Sequence, residues 1–462
     1  MFVMEQQKRL LGILSNLLLW LFEIITFAYV WFCYYDISSD DRFYRHGYII
    51  IIVMYAIFIY MMTKSFNGYK ISYMKALDLI LAHVISQILS NIAGYFFICM
   101  MWSEYMQVMP VVMLSLVQIV ASTLWVILAR QVYMKVFPPR NVIIIYGKYP
   151  LEQFLKKLNA RNDKYVVSEI LNYENGLKKI CSGDLDFEGV FLYDLSAGER
   201  NTIIKYCYEH GIRTYVVPKI TDIIMRGADD LHLIDTPLYL SRNQGLFLDQ
   251  RIVKRIVDIV VSIIGIVVLA PLMLIVAAII KLYDRGPVFY RQERLTRDGK
   301  KFIIFKFRSM RTDAETQGAR LAQKHDDRVT PVGKVLRNFH IDELPQLFNV
   351  IAGDMSIVGP RPERPEIFEK YSKSIPEFDF RLKVKAGITG YAQVYGKYNT
   401  VPIDKLRMDL IYIEEYSFWL DIKLMLLTVR AIFRKESSEG VKDGQTTALA
   451  SDRDKGKEGD KA

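Results

Sequence analysis

The sequence predicts a membrane protein of mixed α and α/β class. It combines a four-helix transmembrane bundle, a Rossmann-like α/β cytoplasmic module, and an α/β monotopic domain carried on a re-entrant membrane helix. Three observations predict this. Four apolar stretches, each close to the ~20 residues that a bilayer crossing requires, fall within residues 1–135. Short strand-like and helix-like segments then alternate, the pattern of a parallel sheet. A fifth apolar run, 256–280, has basic residues at both ends.

The totals agree with that class. Of 462 residues, 52% are hydrophobic and 13% aromatic, and 60 Lys and Arg outweigh 50 Asp and Glu to give a net charge of +10. A basic excess in so apolar a chain points to an anionic membrane surface or a phosphate-bearing substrate. Nucleic acid is not expected, because the cations lie beside apolar segments and not in a dedicated block. Cys33, Cys99, Cys181 and Cys207 have no metal-ligand or disulfide spacing, so buried free thiols on a reducing side of the membrane are expected.

The four spans are read at 10–33, 47–64, 77–101 and 106–130. Lys8 and Arg9 precede the first, Lys64, Lys70 and Lys75 surround the second loop, and Arg130, Lys135 and Arg140 follow the fourth. The intervening loop DISSDDRFYRH is acidic. Basic loops stay inside, which puts the N-terminus and everything after residue 130 in the cytoplasm. Within the spans, Glu23, Asp78, His83, Gln87 and Asn91 are functional candidates by chemistry. Glu23 and Asp78 are placed near span ends, and Gln87 and Asn91 suit interhelical hydrogen bonds.

Residues 136–240 form the second domain. NVIIIYG, KYVVSEIL, FEGVFLYDL and IRTYVVP read as strands, PLEQFLKKLNA and GERNTIIKYCYEHG as helices. The first turn, YGKYPLEQF, has one glycine where a dinucleotide loop wants three. A structural or regulatory module is therefore favoured over a nucleotide site.

The third domain spans 250–435, with its membrane helix at 252–282. Arg251, Lys254 and Arg255 precede the apolar run; Lys281, Arg285, Arg291 and Arg294 follow it. Cations at both ends place both ends in the cytoplasm. Pro271, near the middle, removes a backbone donor and clashes with the preceding turn. A helix broken there, entering and leaving on one face, satisfies both facts. Asp258 near the entry is expected to pair with Lys254 or Arg255. VFYRQERLTRDGKKFIIFKFRSM predicts two strands turning at Asp298-Gly299, and 332–338 and 343–351 read as helices. The stretch 404–434 suits either interfacial helices or ordinary core packing. The tail 436–462, without apolar anchors, reads as disordered.

Chemistry concentrates in IDELPQLFNVIAGDMSIVGPRPERPE, residues 341–366. Asp342 and Glu343 taken alone read as a helix N-terminus, with Pro345 in the first turn. Their neighbours change the balance. Arg337 lies just upstream, Pro360 and Pro362 stiffen the chain around Arg361, and Lys306 and Arg308 lie on a predicted strand. A carboxylate pair among fixed cations is what phosphoryl chemistry requires: one carboxylate attacks or binds a metal, and cations neutralise phosphate oxygens. With no Cys/His cluster, hard Mg²⁺ is expected over zinc. His340, a lone histidine, reads first as a packing residue.

Four ordered segments, KRIVDIVVSIIGIVVLAPL, GPVFYRQERLTRDGKKFIIFKFRSM, IDELPQLFNVIAGDMSIVGPRP and VKAGITGYAQVYG, resemble the bacterial polyprenyl-phosphate sugar-1-phosphate transferases, the monotopic phosphoglycosyl transferases. The N-terminal spans and α/β module resemble the large members, which start exopolysaccharide, capsule or O-antigen assembly. The resemblance implies a UDP-sugar donor, an undecaprenyl phosphate acceptor drawn from the bilayer, release of UMP, and a homodimer in the bacterial inner membrane. It implies Asp342 as nucleophile, Glu343 as its partner, Mg²⁺ held by both, and Arg361, Arg337, Lys306, Arg308 and Gln393 around phosphate and substrate. Where the family commonly has Ser-Pro at the helix break, this chain has Ala270-Pro271. A non-enzymatic membrane scaffold and a direct glycosyltransferase releasing UDP are the alternatives. Glucose and galactose donors are favoured by family habit alone.

Overall fold

A computed structural model describes residues 2–35, 47–147, 151–182, 187–241, 245–311, 328–396 and 400–432. The acidic loop 36–46 and the tail 436–462 lie outside the described residues. The chain divides into two compact units, Met1–Val217 and Pro218–Ala462.

The first unit opens with α1 (Phe2–Val30), which runs on into a π-helical turn at Trp31–Tyr35, then α2 (Gly47–Ser65), α3 (Ala76–Trp102) and α4 (Met109–Val136). Three of these are long and apolar enough to cross a membrane, at Leu10–Tyr35, Ala76–Trp102 and Met109–Val136; the apolar part of α2, Ile49–Ser65, is shorter. The bundle is apolar outside, and inside it an aromatic and aliphatic core, with Phe27, Trp31, Tyr55 and Ile98 buried, surrounds a polar network. Leu18, Ile25, Ile50 and Met100 are exposed, while Glu23, His83, Gln87, Asn91, Gln118 and Ser122 are buried. A buried polar network suits hydrocarbon, where interhelical hydrogen bonds hold helices that lipid cannot push together. Gln87 donates to Glu23 Oε1 at 2.8 Å, and Asn91 donates to Gln118 Oε1 at 2.9 Å. The helix-bonding role expected of Gln87 and Asn91 therefore extends to Glu23. It is buried at 1% exposure, not placed at a span end.

The α/β module follows: β1 (Arg140–Tyr146), α5 (Glu152–Asn159), β2 (Tyr165–Asn172), α6 (Tyr173–Cys181), β3 (Gly189–Tyr193), α7 (Ala197–Glu209) and β4 (Arg213–Val216). Its sheet is parallel in the order β2-β1-β3-β4, a doubly wound arrangement with the strand order reversing beside β1. Val142–Ile145 of β1 are all buried, which is why that strand is an unbroken apolar run. The single glycine after β1 has a packing reason. A Cβ on Gly147 would stand 2.1 Å from the Asp194 carbonyl oxygen. The module is tied to the α2–α3 loop: Arg161 donates to the Tyr73 carbonyl at 2.7 Å, and Lys164 Nζ lies 3.6 Å from the Tyr73 ring centroid. Cys207 is buried, Cys33 and Cys99 half-buried and Cys181 exposed, all as free thiols. Full burial thus holds for Cys207 alone.

The second unit begins earlier than the expected boundary at 240. It takes in α8 (Ile220–Arg226) and a hairpin of β5 (Asp229–Leu233) and β6 (Thr236–Leu240), exposed along its whole length. Helix α8 belongs here because Arg226 pairs with Glu415 at 2.7 Å. Then come α9 (Leu248–Asp284), β7 (Phe289–Leu295), β8 (Lys301–Phe307), α10 (Pro331–Asn338), α11 (Gln346–Ala352), β9 (Ser356–Val358), α12 (Pro365–Ser374), β10 (Gly387–Thr389), α13 (Tyr391–Tyr395), α14 (Pro402–Glu414) and α15 (Phe418–Ile432). Strands β7 and β8 form the expected hairpin, joined by residues 296–300, in which Asp298 and Gly299 are both at positive φ, 59° and 72°.

Helix α9 corrects two expectations. It is not broken at Pro271 but runs through it as one 37-residue helix. The proline costs one rung of the ladder, while Met273, Val276 and Ile280 beyond it stay packed on Phe307 and Leu336. Nor does Asp258 pair with Lys254 or Arg255. Its Oδ1 accepts from Ile357 N at 2.9 Å and Ser356 Oγ at 3.0 Å. Lys254 instead pairs with Asp421 at 2.6 Å, and Arg255 donates to the Val350 and Ile351 carbonyls at the end of α11. At the far end, Arg308 pairs with Asp284. The domain therefore grips α9 near both termini. Of the two readings for 404–434, α14 is core, with Leu406, Leu410, Tyr412 and Ile413 buried. Helix α15 buries Leu424 and Leu427 but leaves Trp419 68% exposed.

Candidate active site

Three elements converge on the Asp-Glu pair. After α10 the chain turns at His340, whose φ of 55° is left-handed, into a single 3-10 turn, Ile341–Glu343. No side-chain cap bond forms at the start of that turn or of α11, so the capping account of the pair is not what the structure shows. Strand β8 brings Lys306, whose Nζ donates to Glu343 Oε1 at 2.7 Å. Asn349 of α11 locks that strand alongside, accepting from Phe305 N at 2.9 Å and donating to the Ile303 carbonyl at 2.7 Å. The Pro360–Pro362 turn brings Arg361, which reaches Glu343 Oε1 through Nη2 at 2.7 Å and Oε2 through Nη1 at 3.4 Å.

The two carboxylates, both buried, have unlike surroundings. Burial works to raise Glu343, but Arg361 and Lys306, by charge and hydrogen bond, override it and hold that carboxyl well below the usual range. Asp342 has no such clamp and forms no side-chain hydrogen bond with the described residues. Burial pushes it up to about 6, against the opposing charges of Lys306, Arg337 and Arg361. Arg337, on the last turn of α10, thus acts at Asp342 through its field. Burial also pushes the His340 imidazole down, so that it favours the neutral ring.

The turn carrying Arg361 is held at four successive carbonyls. Pro360 O accepts from Gly387 N at 2.9 Å and Arg361 O from Arg381 Nη2 at 2.9 Å. Pro362 O accepts from Arg294 Nη1 at 2.9 Å, and Glu363 O from Leu295 N at 3.2 Å. Sequence reasoning gave no site role to Arg381, Arg294, Glu363 or Asp409: Arg294 counted only as a flanking cation, Glu363 lay unremarked beside the arginine turn, and Arg381 and Asp409 fall outside the quoted segments. The buried state of Arg381 and Asp409 appears only in the fold.

Two expected site residues make no hydrogen bond to the dyad among the described residues. Arg308, one residue past β8, turns instead to Asp284; its backbone N–H, bonded to the Val288 carbonyl at 2.9 Å, sets it against the end of α9. Gln393 on α13 has both amide atoms buried without a partner among the described residues. Its Oε1 would lie 2.7 Å from a Cβ on Gly390, whose nearest other neighbour is Gly359 at the start of the arginine turn. An orphaned amide there is costly unless a ligand or water completes it.

The residues fit magnesium in one manner only. Among the described residues no group of three or more His, Cys, Asp or Glu side chains gathers for a metal. Glu343 already spends its oxygens on two cations, so Asp342 offers the open hard-oxygen ligand. One or two carboxylates completed by substrate phosphates is an ordinary magnesium donor set.

A membrane-anchored domain with a buried carboxylate pair, one member clamped by cations and one left open, is the class of protein that this fold and site define. The chain belongs to the bacterial sugar transferase family, whose model matches residues 249–435. It is 40% identical over 190 residues to the UDP-glucose:undecaprenyl-phosphate glucose-1-phosphate transferase of Caulobacter vibrioides, covering 71% of that relative and 40% of this chain. It is 38% identical over 247 residues to the UDP-N-acetylgalactosamine-undecaprenyl-phosphate N-acetylgalactosaminephosphotransferase of Aeromonas hydrophila, covering 56% of that protein and 51% of this chain. It is 39% identical over 193 residues to the galactosyl transferase CpsE of Streptococcus agalactiae, covering 42% of that protein and 39% of this chain. The chain spans about half the length of the first curated relatives it matches.

Proposed function

We propose that this protein transfers a hexose-1-phosphate from a UDP-sugar to undecaprenyl phosphate at the cytoplasmic face of a bacterial membrane, beginning a polysaccharide. The observation that carries the reading is the asymmetry of the dyad: Glu343 clamped by Lys306 and Arg361, Asp342 buried with its oxygens open. Adjacent carboxylates whose environments push them apart take different roles. The Asp342 carboxylate attacks the sugar-bearing phosphorus, the bond from that phosphorus to the bridging oxygen breaks, and UMP leaves. The acceptor phosphate oxygen then attacks the aspartyl-phosphosugar. Its phosphorus–carboxylate bond breaks, returning Asp342 and giving undecaprenyl-diphospho-sugar. Arg361, Lys306 and Arg337 supply fixed positive charge for the phosphate oxygens. Magnesium held by Asp342 and the donor phosphates, beside Glu343, would add charge neutralisation there.

The grip of one domain on both ends of α9 supports a re-entrant helix. A helix of 37 residues, about 55 Å at 1.5 Å per residue, would otherwise send one end across the bilayer, away from its partner in the same domain.

The test is a product assay on membranes supplied with a panel of UDP-sugars. UMP is the expected product, and Asp342→Asn is expected to abolish it. UDP release would make this a direct glycosyltransferase, and no nucleotide product from any donor would leave a scaffold.

A further inference from the structure

Arg361 is a long side chain, 40% exposed, on which the proposed chemistry depends, so what aims it matters. Prolines fix φ on either side of it, yet the turn as a whole must still be oriented. Arg381, 3% exposed, does this from beneath. It sits in the 3-10 segment Pro376–Lys383, with its guanidinium carbon 4.9 Å from the Phe378 ring centroid. Its Nη2 donates to the Arg361 carbonyl at 2.9 Å, and its Nε donates to Asp409 Oδ2 at 2.9 Å. Its Nη1 lies 3.6 Å from Glu363, which Lys405 also approaches at 3.7 Å. Asp409, on α14, is 1% exposed and leaves its Oδ1 without a partner among the described residues.

A buried cluster of this kind is a poor way to gain stability, because desolvating the charges offsets most of their attraction. What a guanidinium offers is direction. Its planar fork holds several donors at set angles, so one group can take its bearing from Asp409 while presenting another N–H to the turn. A lysine ammonium has no such plane.

We propose that Arg381, oriented by Asp409 and Glu363, is a positioning residue that aims Arg361 at the reacting phosphate. The inference rests on the proposed sugar-phosphate transfer. Arg381 touches no substrate; it acts through the Arg361 carbonyl, while Arg294 and two backbone N–H groups hold the neighbouring carbonyls.

The test is a double-mutant cycle on the full-length protein in membranes, read as UMP release. Arg381→Lys is expected to lower kcat/KM by roughly 10- to 100-fold, the scale on which a displacement of about 1 Å acts. In an Arg361→Ala background there is no side chain left to aim, so adding Arg381→Lys should cost no more than about twofold. A defect that merely removes folded protein would cut activity by the same factor in both backgrounds, and that additive result would overturn the proposal. Should Arg381→Lys fail to accumulate, Asp409→Asn enters the same cycle with the same criterion. A second arm follows hydrogen exchange at the Gly387 and Leu295 amides, which bond the turn. Faster exchange in Arg381→Lys is expected, and unchanged exchange would overturn the proposal. If the unmutated protein makes no UMP, the transfer reading fails, and this arm still decides whether Arg381 holds the turn.

Discussion

Asp342 and Glu343 are neighbours in the chain with opposite surroundings, and the difference has a consequence in pH. Glu343 stays ionised because Arg361 and Lys306 outweigh its burial. Asp342 is pushed by burial to about 6, so the attacking anion is lost as pH falls through that value and complete above it. UMP release is therefore expected to show an acid limb near pH 6, moving lower as added magnesium favours the anion. A rate that stays flat down to about pH 4.5 even at limiting magnesium would count against a nucleophile raised by burial. The adjacent pair and the proline-flanked arginine were legible at this scale because they are local in sequence. The roles of Arg308 and Gln393 were less so: Arg308 turns to Asp284 and Gln393 to the Gly359–Gly390 contact.

Helix α9 shows how an element can be read correctly in outline and wrongly in detail. Its apolar run and basic flanks locate it, but its polar residues do not pair along the helix. Lys254 crosses to Asp421 of α15, and Asp258 to β9, the strand that leads into the arginine turn. Lys254 and Asp421 are both buried, and Tyr412 lies 2.9 Å from the other Asp421 oxygen. Breaking a buried pair from one side strands the partner charge, so Lys254→Met is expected to destabilise the second unit by about 3 kcal/mol. Replacing both, as Lys254→Met with Asp421→Leu, should recover most of that loss. Thermal unfolding in detergent distinguishes a cooperative pair from two independent contacts.

At the scale of the whole molecule, the apolar surface and buried hydrogen-bond network of the helical bundle and the doubly gripped α9 argue for different relations to the bilayer. The bundle crosses, with the α2–α3 loop on the side of the α/β module, since Arg161 and Lys164 bind Tyr73. Helix α9, on the proposed reading, dips in and returns. Leu282, exposed just past Lys281, provides the check. Leu282→Cys is expected to be shielded from an impermeant thiol reagent in intact cells and labelled once the cells are opened. Labelling in intact cells would mean that α9 spans.

The sequence alone determined the membrane spans, the alternation of strands and helices, and the carboxylate pair with its arginine turn. Each is a local property: a run, a period or an adjacency. Only the tertiary structure decided which carboxylate is clamped, that α9 continues through Pro271, that Asp284 takes Arg308, and that Arg381 and Asp409 lie beneath the turn. Those outcomes are charge pairings between distant segments. Their strength depends on separation and on exclusion of water, and both quantities come into being only when the chain has folded.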